Sequence, residues 1–155
     1  MIGLISDTHG LLRPSVHDAL KGVELIIHAG DVGDGILAEL ATIAPVKAVR
    51  GNTDPVGDPN LPVTLAMTHD AKRIFVTHGH ELGVPTPEEL LSKYDGDVIV
   101  YGHTHRKVSV QVEKRWVVNP GAAGPRRFDV RPSLARMTIA KGEVAIEFVE
   151  LGGRT

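Results

Sequence analysis

Five short, largely apolar runs, Ile2 to Ile5, Glu24 to Ile27, Val46 to Val49, Ile74 to Val76 and Val98 to Tyr101, each stop at a cluster of glycine, aspartate, asparagine or histidine. Runs so short and so apolar belong to strands covered on both faces. Helical spacing fills the gaps between the first three. Pro14 to Gly22 sets Val16, Ala19, Leu20 and Val23 at i, i+3, i+4 and i+7, and Gly35 to Ala44 carries the stripe Ile36, Leu37, Leu40 and Ile43. Thr86-Pro87-Glu88-Glu89 reads as a capping box with proline at the first helical position. Strands alternating with helices predict a parallel sheet with right-handed crossovers. After Gly102 the pattern changes: Lys107 to Val112 alternates with period two and Trp116 to Val118 returns beside it. Ala135 to Ala140 pairs with Val144 to Val149, and Leu61 to Thr68 with Arg73 to Thr77. The expectation is a mixed α/β chain with a parallel half and an antiparallel half, in two sheets packed face to face.

The strand ends read Asp7-Thr8-His9, Gly30-Asp31, Gly51-Asn52-Thr53-Asp54, Thr77-His78-Gly79-His80 and Gly102-His103-Thr104-His105. Carboxyl ends of neighbouring parallel strands share one edge, where open α/β proteins bind ligands. Several imidazoles and carboxylates brought to one cleft are costly to desolvate without a cation between them. The pairs Asp7/His9 and His103/His105 have the alternate spacing that turns two side chains the same way. A divalent metal site follows from this convergence.

Other classes fall away on composition. A chain of 155 residues suits one domain over residues 1–155. Its net charge of −2 lacks a general basic footprint, and no sequence-specific nucleic-acid partner is expected. Cysteine is absent, which removes thiolate ligands and disulfides, and no apolar run is long enough to span a membrane. The start of the chain has no basic, then apolar, leader pattern, so the expected location is cytoplasmic.

The ordered set Asp-x-His, Gly-Asp, Gly-Asn-x-Asp, His-Gly-His and Gly-His-Thr-His, from Ile2 to His105 and on through Asn119-Pro120-Gly121, resembles the calcineurin-like metallophosphoesterase superfamily and its small bacterial and archaeal phosphodiesterase branch. The resemblance implies a four-layer αββα sandwich of two mixed β-sheets flanked by helices, a dinuclear centre and a homodimer. Carried over, Asp7, His9 and His105 hold one ion, Asn52, His78 and His103 the other, and Asp31 bridges them. The cofactors expected are two divalent ions, manganese first, with nickel, cobalt, iron or zinc as alternatives. The implied reaction is hydrolysis of a small phosphodiester, a nucleotide among the candidates, by a metal-activated hydroxide. Two divalent ions, two aspartates, a hydroxide and a diester monoanion sum to zero charge, whereas a monoester dianion leaves one negative charge over. Phosphomonoesterase and protein-interaction scaffold are the alternatives, the latter because the retromer coat holds a subunit of this fold.

One position departs from that pattern. Many members carry histidine where this chain has Thr53, and threonine is no acid near neutral pH. His80 or metal-associated water is then the expected proton donor, and diesters with poor leaving groups should react slowly. Asp31, Asn52, His80 and Asp54 form the expected catalytic set, with Asp54 orienting His80 or another site group. Arg126 is a candidate for substrate phosphate, or part of a solvated loop balanced by Asp129. His28 reads as a hydrogen-bonded core residue, and His17 and His69 as exposed.

Overall fold

The computed structural model describes residues 1–127 and 130–152. The elements run β1 (Ile2–Ile5), α1 (Ser15–Ala19), β2 (Leu25–His28), α2 (Ile36–Leu40), β3 (Val46–Ala48), β4 (Thr64–His69), β5 (Lys72–Thr77), a 3₁₀ turn (His80–Leu82), α3 (Pro87–Lys93), β6 (Val98–Val100), β7 (Lys107–Val112), β8 (Arg115–Pro120), β9 (Ser133–Ala140) and β10 (Glu143–Glu150). Two 5-stranded sheets result, ordered β10-β9-β1-β2-β3 and β4-β5-β6-β8-β7.

Three apolar clusters define four layers. Val16, Leu20, Ile36 and Leu40 of α1, α2 and their flanks pack on Ile5 and Ile26 of the first sheet. Leu4, Ile27, Val76, Val100, Val118 and Met137 fill the space between the sheets. Leu90 of α3 packs on Ile99 and Val117 of the second sheet. β1, β2 and β6 are buried along their whole length, whereas the edge strands β4 and β7 alternate, as half-covered strands do.

The two mixed sheets that the resemblance implies are present, and the division into a parallel and an antiparallel half drawn from the strand pattern is corrected. Each sheet mixes both: β1, β2 and β3 run parallel in one, β5, β6 and β8 in the other, with antiparallel strands at the flanks. The chain leaves the first sheet after β3 and returns only with β9, so the five apolar runs are shared between two sheets. β8 comes back from β7 into the place beside β6 and supplies a sixth parallel strand end. Helices α1 and α2 are one turn and a fraction, shorter than the periodicity predicts, although Val16, Ala19, Ile36 and Leu40 are buried as expected. The capping box forms: Glu89 N–H donates to Thr86 Oγ1 and Thr86 N–H to Glu89 Oε1, both at 3.2 Å.

Candidate metal centre

The ends of β1, β2, β5 and β6 meet at one edge of the sandwich. Backbone bonds sew them together: Asp7 N–H donates to Gly30 O at 3.0 Å, His9 N–H to Asp31 O at 2.9 Å, and Gly102 N–H to His78 O at 3.2 Å. Asp7, His9, Asp31, His103 and His105 all have φ between 49° and 69°. Each such residue costs about 1–3 kcal/mol and persists only where its surroundings fix it. The other non-glycine residues of this kind, Asp70, Ala71, Glu113 and Lys141, sit in hairpin turns, where positive φ closes the loop.

Two buried carboxylates organise the edge in the same way. Asp7 Oδ2 accepts from Ser6 Oγ at 2.5 Å and His103 N–H at 3.1 Å, which leaves Oδ1 facing Nε2 of His78 at 3.1 Å, His105 at 3.3 Å and His9 at 3.8 Å. Asp31 Oδ1 accepts from Thr53 N–H at 3.0 Å and Thr53 Oγ1 at 2.8 Å, which leaves Oδ2 facing Nε2 of His78 at 3.4 Å and His9 at 3.6 Å. Asp7, His9 and His105 bring one donor atom each to within 4.8 Å of one another, and Asp31, His78 and His103 do the same.

These donor sets fit cations better than they fit each other. Nε2 of His9 is buried without a hydrogen-bond partner, although it faces two carboxylate oxygens. Two ligands about 2.1 Å from one ion stand roughly 3.0–3.4 Å apart, close to the spacings here. Burial pushes the Asp7 carboxyl up, but hydrogen bonds from His105, His78 and Ser6 outweigh it and hold the acid well below its usual range. Burial, then the neighbouring His78, pushes His80 and His103 down. A neutral His103 beside an ionised Asp7 has the protonation that ligation requires.

The remaining predicted residues are placed as follows. Asn52 is exposed on the turn after β3, between Gly51 and Thr53. His80 is half-buried, with its Nδ1 3.1 Å from His78 Nδ1. Asp54 does not bond His80. Its carboxylate accepts from Val32 N–H at 2.9 Å, Gly33 N–H at 3.3 Å and Gly51 N–H at 2.9 Å, tying the loop after Asp31 to the turn that carries Asn52. Arg126 is exposed and does not line the groove beside His103 and His105, whose guanidinium-bearing residues are its neighbour Arg127 and Arg106. Asp129 lies outside the described residues.

His28 is fully buried, as predicted. Its Nδ1 accepts from Gly30 N–H at 3.1 Å, so Nε2 carries the proton and donates to Thr8 Oγ1 at 2.9 Å; Thr8 in turn donates to Val32 O at 2.6 Å. His17 is exposed, as expected, and pairs with Glu39 at 2.9 Å, whereas His69 was expected exposed and is half-buried, with Nε2 3.1 Å from Glu24, which also binds the N-terminal ammonium. Two residues outside the predicted set support the ligands. Ser6 anchors Asp7, and Asn119 Nδ2 donates to Gly102 O at 3.0 Å and Thr104 Oγ1 at 3.1 Å, holding the His103-Thr104-His105 turn. The sequence signal for Asn119 is its place at the end of a sixth apolar run, followed by proline and glycine.

Glycine recurs in these motifs because one motif's backbone touches another motif's carboxylate. A Cβ on Gly51 would strike Asp31, and one on Gly102 would strike Ser6 and Asp7.

Comparison with known proteins shows the family and the fold. Residues 1–142 match the model of the calcineurin-like phosphoesterase superfamily domain. A probable metallophosphoesterase of Methanothermobacter thermautotrophicus is 35% identical, over 98% of this chain and 93% of its own length. A phosphodiesterase of Methanocaldococcus jannaschii is 32% identical, over 77% of this chain and 82% of its own. Among solved structures, Vps29 of Chaetomium thermophilum superposes with a TM-score of 0.78 at 25% identity, covering 96% of each chain.

Proposed function

Since the chain belongs to the calcineurin-like phosphoesterase superfamily, we propose that it is a metal-dependent phosphodiesterase with a dinuclear centre. Asp7, His9 and His105 would hold one ion, and His78, His103 and Asn52 the other, with Asp31 between them. The observation that supports this reading most is the matched pair of buried carboxylates, each with one oxygen anchored by hydrogen bonds and one turned to imidazoles. An anchored carboxylate presents a single fixed oxygen, which suits a ligand shared between two sites. Manganese heads the candidates and nickel, cobalt, iron and zinc follow, because an imidazole-rich set disfavours magnesium and calcium.

When bound, such ions activate water and neutralise the phosphoryl oxygens. The chain's own residues do the rest. Thr53 fixes Asp31, and Asn119 fixes the His103-Thr104-His105 turn. Thr53 Oγ1 already donates to Asp31 and lacks an acidic proton, which leaves protonation of the departing oxygen to His80 or to water. His80 Nδ1 faces His78, so Nε2 is the nitrogen placed to hold that proton.

The test is hydrolysis of bis-p-nitrophenyl phosphate and p-nitrophenyl phosphate by metal-stripped protein with manganese, nickel, cobalt, zinc or magnesium added back. Metal-restored turnover that favours the diester supports the proposal. Preference for the monoester selects a phosphomonoesterase. Metal binding without turnover of either compound points to the scaffold role, which the Vps29-like fold makes the second reading.

A further inference from the structure

Two groove regions adjoin the site, one lined by His103 and His105 and one by Thr53, and their charges are opposite. On one side His103, Thr104, His105, Arg106, Arg127 and Val130 wall a groove of about 240 Å³. Arg106 and Val130 also wall the adjoining groove, about 440 Å³, where Lys107 and Arg131 stand with Glu150. On the other side a groove of about 490 Å³ passes Thr53 and Asp54, between the start of α2 and the Pro55 to Leu61 segment. Its charged residues are Asp34, Asp54 and Asp58, and among the described residues no lysine or arginine lines it.

The cations on the first side are not equivalent. Lys107 and Arg131 share Glu150, at 3.8 and 3.5 Å. Arg106 and Arg127 are both exposed and have no ion-pair partner among the described residues. They do not reflect a generally basic protein, since the chain's net charge is −2. Two guanidinium groups unpaired among the described residues, in a concave wall beside His103 and His105, are matched to phosphate oxygens, which they bind in fork geometry. The acidic groove repels a phosphate and offers Leu37, Pro55 and Leu61 to an uncharged group.

We propose that the substrate is a phosphodiester carrying a second phosphate on one ester arm. The reacting diester lies at Asp7 and Asp31, the second phosphate lies against Arg106 and Arg127, and the other arm, without charge, follows the groove at Leu37 and Leu61. This assignment rests on the phosphodiesterase reading and adds the class of substrate to it. The chemistry is ordinary hydrolysis: water adds to phosphorus, one P–O ester bond breaks, and the departing oxygen takes up a proton.

The test uses the full chain, metal-reconstituted, with the p-nitrophenyl ester of thymidine 5′-phosphate, with and without a 3′-phosphate. Wild type should favour the 3′-phosphorylated compound by about tenfold or more in kcat/KM, mostly through KM, as charge-assisted hydrogen bonds to phosphate are expected to give. In R106Q/R127Q the preference should shrink to about twofold or less, while R131Q, whose guanidinium is already paired, should keep it. Added salt should erode the wild-type preference. Equal turnover of the two esters by wild type, or a preference that survives in the double variant, overturns the assignment. Failure to hydrolyse either ester with any metal is a separate result, and it removes the phosphodiesterase reading together with this one.

Discussion

Asp7 and Asp31 each turn one oxygen toward the imidazoles and use the other for hydrogen bonds, but the donors to that second oxygen come from different parts of the fold. Asp7 is held by Ser6 beside it and by His103 from the other sheet, and its free oxygen also faces His78 and His105 of that sheet. Asp31 is held by both donors of Thr53, on the adjacent turn of its own sheet. Asp7 therefore joins the two sheets through both oxygens, whereas the anchored oxygen of Asp31 is fixed within its own sheet and only the other faces His78 across the gap, at 3.4 Å. One carboxylate serves fold and chemistry together, and the other chiefly chemistry.

Loss of either charge should cripple the proposed reaction. D7N and D31N are each expected to lower metal-restored diester turnover by about 10³-fold or more, roughly 4 kcal/mol of transition-state stabilisation. Stability should separate them. In the metal-free protein each variant frees two donors, but D7A also removes the oxygen that faces His78 at 3.1 Å and His105 at 3.3 Å across the sheets, so it is expected to lose about 1–2 kcal/mol more than D31A. Urea denaturation in the presence of a chelator reads this difference, and equal losses would break the comparison.

His28 couples the two groups, since Gly30 N–H, Thr8 and Val32 connect through it from the Asp7 loop to the Asp31 loop. Burial pushes this imidazole down to about 4, below its ordinary 6.5. A folded value below the unfolded one means that the stabilisation is complete above about pH 6.5 and is lost as pH falls toward 4, for roughly 3 kcal/mol in all. The metal-free protein should therefore weaken between pH 7 and pH 4, and H28N, although less stable at pH 7, should weaken less over that window. Parallel pH profiles for the two proteins would show that burial does not hold the ring below its ordinary value.

What the sequence made legible was short-range. Five apolar runs with polar ends were visible because each strand and its terminal motif lie within a few consecutive residues, and the Thr86 to Glu89 cap because it is local chemistry. Sharing of the runs between two sheets was not, since strand pairing over long separations leaves no trace in periodicity. Which group Asp54 orients was hidden for the same reason: it braces the loop after Asp31 and not His80, through backbone donors at Val32 and Gly33 more than twenty residues earlier as well as Gly51 close by, and any carboxylate before a proline looks like a turn former. Arg126 and Arg127 are adjacent in a loop without periodicity, and only the fold decides which one faces the histidines.

The glycine contacts offer a finer probe of the same contrast. G102A drives a methyl group into Ser6 and Asp7 at the joint between the sheets, and G51A drives one into Asp31. Each is expected to cost about 1–3 kcal/mol of metal-free stability by overpacking. G102A should also weaken metal binding at the Asp7 group, whereas G51A should weaken it at the Asp31 group. Titration calorimetry with manganese should then show two steps of which each variant shifts a different one. A shift of the same step in both variants would mean that the two groups act as a single unit.

The smallest expected effect concerns Thr53, which stands where the family pattern often has histidine and here holds Asp31. T53V keeps the backbone N–H bond to Asp31 Oδ1 and removes the hydroxyl bond at 2.8 Å. Loss of one hydrogen bond to a charged acceptor corresponds to about 1–2 kcal/mol, so kcat/KM for an aryl diester should fall about tenfold while T53S retains it. The ratio of aryl to alkyl diester turnover separates holding from proton donation. If Thr53 only positions Asp31, T53V lowers both rates alike, because the group that protonates the leaving oxygen is untouched. T53H should do the reverse: it disturbs Asp31 yet supplies a group of suitable acidity, so that alkyl diesters gain relative to aryl ones. An unchanged aryl-to-alkyl ratio in T53H, with full activity in T53V, would leave Thr53 without either role and return the anchoring of Asp31 to its backbone contact alone.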